Sequence, residues 1–139
     1  MPETAPFTNS SQNPYSLEGE VCLITGDGTG LGLGIARAFA ASGAQVVLVG
    51  RRESVLASAV RELDGAIYEV HDITQHNKSE ELLARIAGRV GSVSVLVNNA
   101  GVHLKKPFSE ISDDEFFSVL NVHLLSASSI ARASLPHMA

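Results

Sequence analysis

The chain predicts an α/β domain with a doubly wound parallel sheet, and three observations carry that expectation. Apolar extended runs alternate with helical repeats along the chain, a glycine cluster stands where the first run gives way to the first helix, and the first, second and fourth runs are largely apolar. Strict β–α alternation implies right-handed crossovers, and a run without polar alternation suits a strand covered on both sides.

The first extended run is Val21 to Ile24, and the first helix is expected over Leu31 to Ala41, with Thr25 to Gly32 (TGDGTGLG) between them. Gly43 suits a helix C′ residue before the valine-rich run Ala44 to Val49, broken only by Gln45. Val55, Leu56, Ala59, Val60 and Leu63 mark a second helix, and Ala66 to Val70 a shorter third strand. Leu82, Leu83, Ile86 and Val90 mark a third helix, with Asn77 or Ser79 as candidate N-caps and Gly91 beyond its end. Val93 to Val97 is the fourth strand. Ser112 to Glu115 forms a capping box from which a long fourth helix starts near Asp113 and carries Phe116, Phe117, Leu120, Leu124 and Leu125. The expected strand order is 3-2-1-4.

At 139 residues and 45% apolar content the chain is one domain's worth of sequence with enough material for a core. A net charge of −5 without a long basic run gives no electrostatic support to nucleic-acid or membrane-surface binding, which leaves small-molecule chemistry as the favoured class. Cys22 is the only cysteine, so an intrachain disulfide and a cysteine metal cluster are excluded, and its place in the first strand predicts a buried structural thiol. The five histidines show no metal spacing, and no metal site is expected. Residues 1–16 carry Pro2, Pro6 and Pro14 among polar residues and read as a flexible tail without a secretory apolar segment. No run reaches transmembrane length, and a cytoplasmic location is expected.

Glycines at a strand-to-helix turn let backbone approach a ligand, and the unpaired N–H groups of the helix start favour an anion there. The pattern is Gly26-xxx-Gly30-x-Gly32. GxGxxG fails in both registers that begin in the turn, and no lysine follows for a P-loop. In a doubly wound sheet the ligand lies beyond the carboxyl ends of the strands. The residues collected there are the glycine turn, then Gly50 and Arg51, then Asp72, then Asn98 to Gly101.

As a set these residues resemble the short-chain dehydrogenase/reductase family. Its TGxxxGxG pattern matches Thr25, Gly26, Gly30 and Gly32, and its NNAG signature matches Asn98 to Gly101. The extended branch prefers TGxxGxxG, which Thr29 breaks. The resemblance runs from Leu17 to the C-terminus, so residues 17–139 are expected to form the N-terminal part of a Rossmann-like NAD(P)-binding domain whose later strands are missing. It implies cofactor contacts at Gly26, Thr29, Gly30, Leu31 and Gly32 in the turn and helix start. It implies others at Arg51, at Asp72 and Ile73 beside the adenine, and at Asn98, Ala100 and Gly101. An Asn pair also forms ordinary turns, and an Asp after a strand also caps the following one.

Cofactor choice turns on the end of the second strand. An NAD enzyme tends to carry an acid about 20 residues beyond the glycines to hold the ribose hydroxyls. Here Gly50 and then Arg51 stand instead, so NADP(H) is favoured, with Arg51 pairing the 2′-phosphate, and NAD(H) is the alternative. The other reading of Arg51 and Arg52 is a solvated pair at a helix start. Asp27 departs from the family's usual small residue. A carboxylate about 6 Å from a phosphate opposes it by ~2 to 3 kcal/mol at an effective dielectric of about 20, so removing it is expected to tighten NADPH binding.

The resemblance further implies a catalytic Asn, Ser, Tyr and Lys for exchange of a hydride and a proton between nicotinamide and a carbonyl/secondary alcohol pair. Asn121 matches the Asn, although a mid-helix amide is also an ordinary surface or back-bonded residue. The only tyrosines are Tyr15 and Tyr68, and four residues after them stand Gly19 and Asp72, so YxxxK is absent. The expected function is the cofactor-binding half of an NADP(H)-dependent oxidoreductase, truncated before the Ser and YxxxK and inactive alone. The alternative is a non-catalytic nucleotide-binding or interaction module. The expected partners are a small-molecule substrate in the full-length parent and a second copy through the fourth helix. An uncovered edge on the fourth strand and an unpacked helix face follow from the missing half.

Overall fold

The computed structural model describes residues 13–138. Most of the segment expected to be a tail, residues 1–12, lies outside the described residues. The elements run β1 (Val21–Thr25), α1 (Gly30–Ala41), β2 (Gln45–Gly50), α2 (Glu53–Arg61), β3 (Ile67–Val70), α3 (Ser79–Val90), β4 (Val95–Val97), α4 (Asp113–Leu120), a π-helical segment (Asn121–Ser126) and α5 (Ala127–Met138). Short 3₁₀ turns precede α3 and α4 at His76–Lys78 and Phe108–Glu110.

The four strands form one parallel sheet in the order β3-β2-β1-β4. Register places Thr25 beside Val49 and Ile24 beside Val97, so the carboxyl ends of β1, β2 and β4 finish at the same edge. Alternation along each strand divides the core between two faces. Val21, Leu23, Val47 and Val49 pack with Leu82, Leu83 and Ile86 of α3 and Ile130 of α5. Cys22, Ile24, Val46 and Leu48 pack with Ala36 of α1 and with Leu56 and Ala59 of α2. α1, α2, α3 and α5 therefore each bury an apolar stripe against the sheet, which is covered on both faces as parallel strands require. Burial, reinforced by Glu20, raises the Cys22 thiol to about 11, which keeps it protonated and inert.

Several expected boundaries move. β2 starts at Gln45 and includes Gly50, and β4 shortens to Val95–Val97. Neither Asn77 nor Ser79 caps α3: its N-cap is Lys78, without a side-chain bond, and Ser79 is already the first helical residue at φ −62° and ψ −43°, its hydroxyl 2.8 Å from that of Ser129. The Ser112 capping box forms as expected, with Glu115 N–H donating to Ser112 Oγ and Ser112 N–H donating to Glu115 Oε2. The fourth helix is not one α-helix, since the π segment interrupts it at Asn121. Among the described residues β4 pairs only with β1, and Phe116, Phe117, Leu124 and Leu125 are exposed, as expected for the edge strand and the unpacked helix face.

Behind the carboxyl end of β3, His71 is buried and its Nε2 has no partner among the described residues. Desolvation, with Arg85 nearby, holds its pKa below the ordinary 6.5. In the window between the lowered folded value and 6.5 the unfolded chain binds the extra proton, so stability is fully present above 6.5 and is lost as pH falls through that window. The melting temperature is expected to drop between about pH 7.5 and about pH 5.5, and His71→Phe to flatten that dependence. Thermal melts of both chains across this range check it; an equal slope in the two would remove His71 as the cause.

Candidate functional site

The parallel register and the glycine turn create a cleft at the carboxyl edge of the sheet. β1 ends in Thr25, which is buried and serves as a hub. Its hydroxyl oxygen accepts from the backbone N–H groups of Asn99 and Ala100, each at 3.2 Å, and donates toward the Val97 carbonyl at 3.5 Å. The turn after β1 is thereby tied to the loop after β4. Gly26 N–H donates to the Val49 carbonyl at 2.7 Å, which ties the same turn to β2. Asn99 then packs across both glycines: a Cβ on Gly32 would stand 2.4 Å from its Nδ2, and one on Gly26 2.7 Å.

The helix start beside this turn is open. Thr29 is the N-cap of α1 in extended conformation without a side-chain bond to the first turn, and no acidic residue lies in that turn. Its N–H groups are therefore left for an anion from outside. A Cβ on Gly30 would meet nothing, and Leu31 is 76% exposed, so solvent reaches this end.

The cleft holds about 200 Å³. Of the residues singled out from sequence, Gly26, Thr29, Arg51, Asp72, Ile73, Ala100 and Gly101 line it, whereas Gly30, Leu31, Gly32 and Asn98 do not. Asn121 does not line it either; its carbonyl accepts from Ser126 Oγ at 2.8 Å across the π segment, and its neighbour Val122 is the residue that faces the cleft. Asn121 borders instead an apolar depression with Phe117, Leu124 and Leu125. Asp27, Gly50 and Asn99, weighed in the sequence without being assigned a cofactor contact, also line the cleft, and the residues sequence reasoning passed over there are His71, Thr74 and Val102. Asn99 lay within the NNAG signature, which was the available signal.

The charges beside the ends of β2 and β3 are arranged by short loops. Arg51 lines the cleft and the adjoining hollow near Lys78 and Arg85, and no carboxylate pairs with it among the described residues. Asp72 does cap its own turn, accepting from Thr74 Oγ1 at 2.7 Å and Thr74 N–H at 3.0 Å. Those two bonds, with Arg51 as a smaller influence, hold its carboxyl below the usual range, so it is an anion at the cleft wall. The solvated-pair reading of the two arginines is corrected for Arg52, whose Nη2 and Nε lie 3.0 and 3.1 Å from Asp27 Oδ2. Asp27 is thus a paired carboxylate, which reduces the repulsion expected of it.

On the far wall, His123 of the π segment lies against Gly101, where a Cβ would stand 2.6 Å from the ring. His123 Nε2 is 2.9 Å from the Val102 carbonyl and 3.1 Å from the Val102 N–H. The histidine, treated in sequence as uninformative, therefore pins the loop after β4. π segments of this kind often accompany functional sites.

A family profile described as short chain dehydrogenase matches residues 20–139. L-fucose dehydrogenase of Bos taurus is 36% identical over 121 residues, covering 86% of this chain and 45% of that protein. Two solved structures resemble the fold closely. The 2-keto-3-deoxy-D-gluconate dehydrogenase of Streptococcus agalactiae has a TM-score of 0.76 at 35% identity, over 89% of this chain and 48% of that one. A gluconate 5-dehydrogenase of Burkholderia cenocepacia, solved with NADP and tartrate, has a TM-score of 0.81 at 32% identity, over 89% of this chain and 50% of that one. The chain spans about half the length of the relatives it matches.

Proposed function

We propose, because the chain belongs to the short-chain dehydrogenase family, that it is the cofactor-binding half of an NADP(H)-dependent oxidoreductase acting on a carbonyl/secondary alcohol pair. The observation that carries the cofactor choice is Arg51, a guanidinium at the cleft with no carboxylate partner among the described residues, following Gly50 where an acid would select NAD(H). The solved gluconate 5-dehydrogenase with NADP supports the same reading by similarity. In it, the open N–H groups of α1 hold the pyrophosphate and Gly26 and Thr29 let it approach. Gly30, Leu31 and Gly32 supply the helix start. Asp72 and Ile73 flank the adenine, and Ala100 and Gly101 support the nicotinamide side with Asn98 behind them. The chemistry a bound nicotinamide would bring is hydride exchange with the carbonyl/alcohol pair. Asn121 is the candidate catalytic residue, although Val122 rather than Asn121 faces the cleft.

The 139 residues contain no YxxxK, so proton exchange by the family's Tyr and Lys lies beyond them. A second reading is a non-catalytic nucleotide-binding module, with the apolar depression along α4 and the π segment docking a second copy. No helix among the described residues is long and apolar enough to cross a membrane, and a cytoplasmic setting accompanies either reading. The test is a fluorescence titration of the full chain with NADPH and NADH, paired with a reductase assay. Saturable NADPH binding tighter than NADH is expected, without turnover. Failure to bind either nucleotide would overturn both readings, and turnover would overturn the inactive-half assignment.

A further inference from the structure

The geometry points to Asp27 as a specificity-determining residue: from the glycine turn it supplies the hydroxyl-binding carboxylate that the end of β2 lacks, and it thereby sets the balance between NAD(H) and NADP(H). The inference rests on the nicotinamide-nucleotide reading of the cleft and concerns the adenosine ribose.

Gly50 closes the ordinary route to such a carboxylate. A Cβ on Gly50 would stand 2.7 Å from the Gly26 carbonyl oxygen and 3.2 Å from its carbon. Both are backbone atoms of a turn already bonded to Val49, so they cannot give way as a side chain would. The space a side chain at position 50 would enter is occupied from the turn after β1, because Asp27 Oδ1 lies 3.2 Å from that same Cβ position. A carboxylate oxygen is thus present beside the end of β2, although residue 50 has no side chain.

Its two oxygens have different surroundings. Oδ2 is held by Arg52 through Nη2 at 3.0 Å and Nε at 3.1 Å. Oδ1 accepts no hydrogen bond among the described residues, and the residue lines the same cleft as Arg51 and Thr29. An oriented carboxylate with one oxygen free is an acceptor for hydroxyl donors, and the ribose of NAD(H) carries a vicinal pair of them. A 2′-phosphate has no proton to offer it and meets a like charge. Asp27 also keeps Arg52 engaged, leaving Arg51 alone for the phosphate. Removing the carboxylate therefore acts twice in one direction: the hydroxyl acceptor is lost, and a second guanidinium becomes free.

The test compares NADH and NADPH titrations of the full chain as wild type, Asp27→Asn and Arg52→Ala, with circular dichroism and melting to follow the fold. Asp27→Asn is expected to weaken NADH about tenfold and tighten NADPH about tenfold. Arg52→Ala should move the ratio the other way, since the unpaired Asp27 then repels the phosphate more strongly. A purely structural role would weaken both nucleotides together in both variants, and that result, or no change in the ratio, would overturn the assignment of Asp27 while leaving the cofactor reading intact. Wild-type chain that binds neither nucleotide would overturn the two together. If Asp27→Asn does not fold, the ratio in Arg52→Ala decides alone: a shift toward NADH supports the role, and an equal shift overturns it.

Discussion

Thr25→Val is expected to destabilise the chain by about 1–3 kcal/mol and to abolish high-affinity nucleotide binding, while Thr25→Ser restores most of both. Valine keeps the shape of the side chain, so the buried volume is unchanged and the loss is one of hydrogen bonding. The hydroxyl oxygen accepts from two backbone N–H groups, Asn99 and Ala100, each at 3.2 Å, in a residue that is 1% exposed. Leaving a fully buried donor unmade costs roughly 1–3 kcal/mol; the two N–H groups are part-buried, Ala100 N–H has no second acceptor among the described residues, and Asn99 N–H also approaches the Val97 carbonyl at 3.1 Å. The effect on binding follows from position. Without the hydroxyl the loop after β4 is no longer registered against the glycine turn, and Asn99, which packs over Gly26 and Gly32, loses its anchor. Chemical denaturation of the three chains gives the stability arm, and NADPH titration gives the binding arm. A valine variant as stable as wild type would show that the loop is held by something other than this hydroxyl.

The same geometry explains which parts of the molecule were legible from residues. Apolar runs and i, i+4 repeats identify strands and helices because burial on a parallel sheet imposes them, and Val46 to Val49 or Leu82 to Ile86 could hardly be read otherwise. Ser112 and Glu115 are near neighbours in the chain, so their capping box is a local pattern. Features that depend on distant partners were not readable. The Asp27–Arg52 pair joins residues 25 apart, and only the parallel register of β1 and β2 brings them together. The Ser79 hydroxyl meets that of Ser129, 50 residues away. The π segment carries no residue signature, since an i→i+5 pattern can be adopted by the same side chains that favour an α-helix. It turns Val122 toward the cleft and His123 onto Gly101, which helical periodicity through Asn121 did not suggest.

Gly26→Ala is expected to cost at least as much as any other single methyl added to the cleft, because backbone and packing both oppose it. Gly26 has φ +132°, a conformation L-residues rarely adopt, and forcing one there costs about 1–3 kcal/mol. The added Cβ would also stand 2.7 Å from Asn99 Nδ2. Relief by rotation of the turn is blocked on two sides. Its N–H is fixed to the Val49 carbonyl at 2.7 Å, and its own carbonyl oxygen already fills the space above Gly50. A lower melting temperature and loss of NADPH affinity are therefore expected together, since the displaced turn is the one leading to the open N–H groups of α1. The two causes separate in a double variant. Asn99→Ala removes the packing clash but not the backbone strain, so Gly26→Ala with Asn99→Ala should recover only part of the stability lost relative to Asn99→Ala alone. Full recovery would mean that the backbone at Gly26 tolerates a side chain, and that the glycine is required by its asparagine neighbour rather than by the turn.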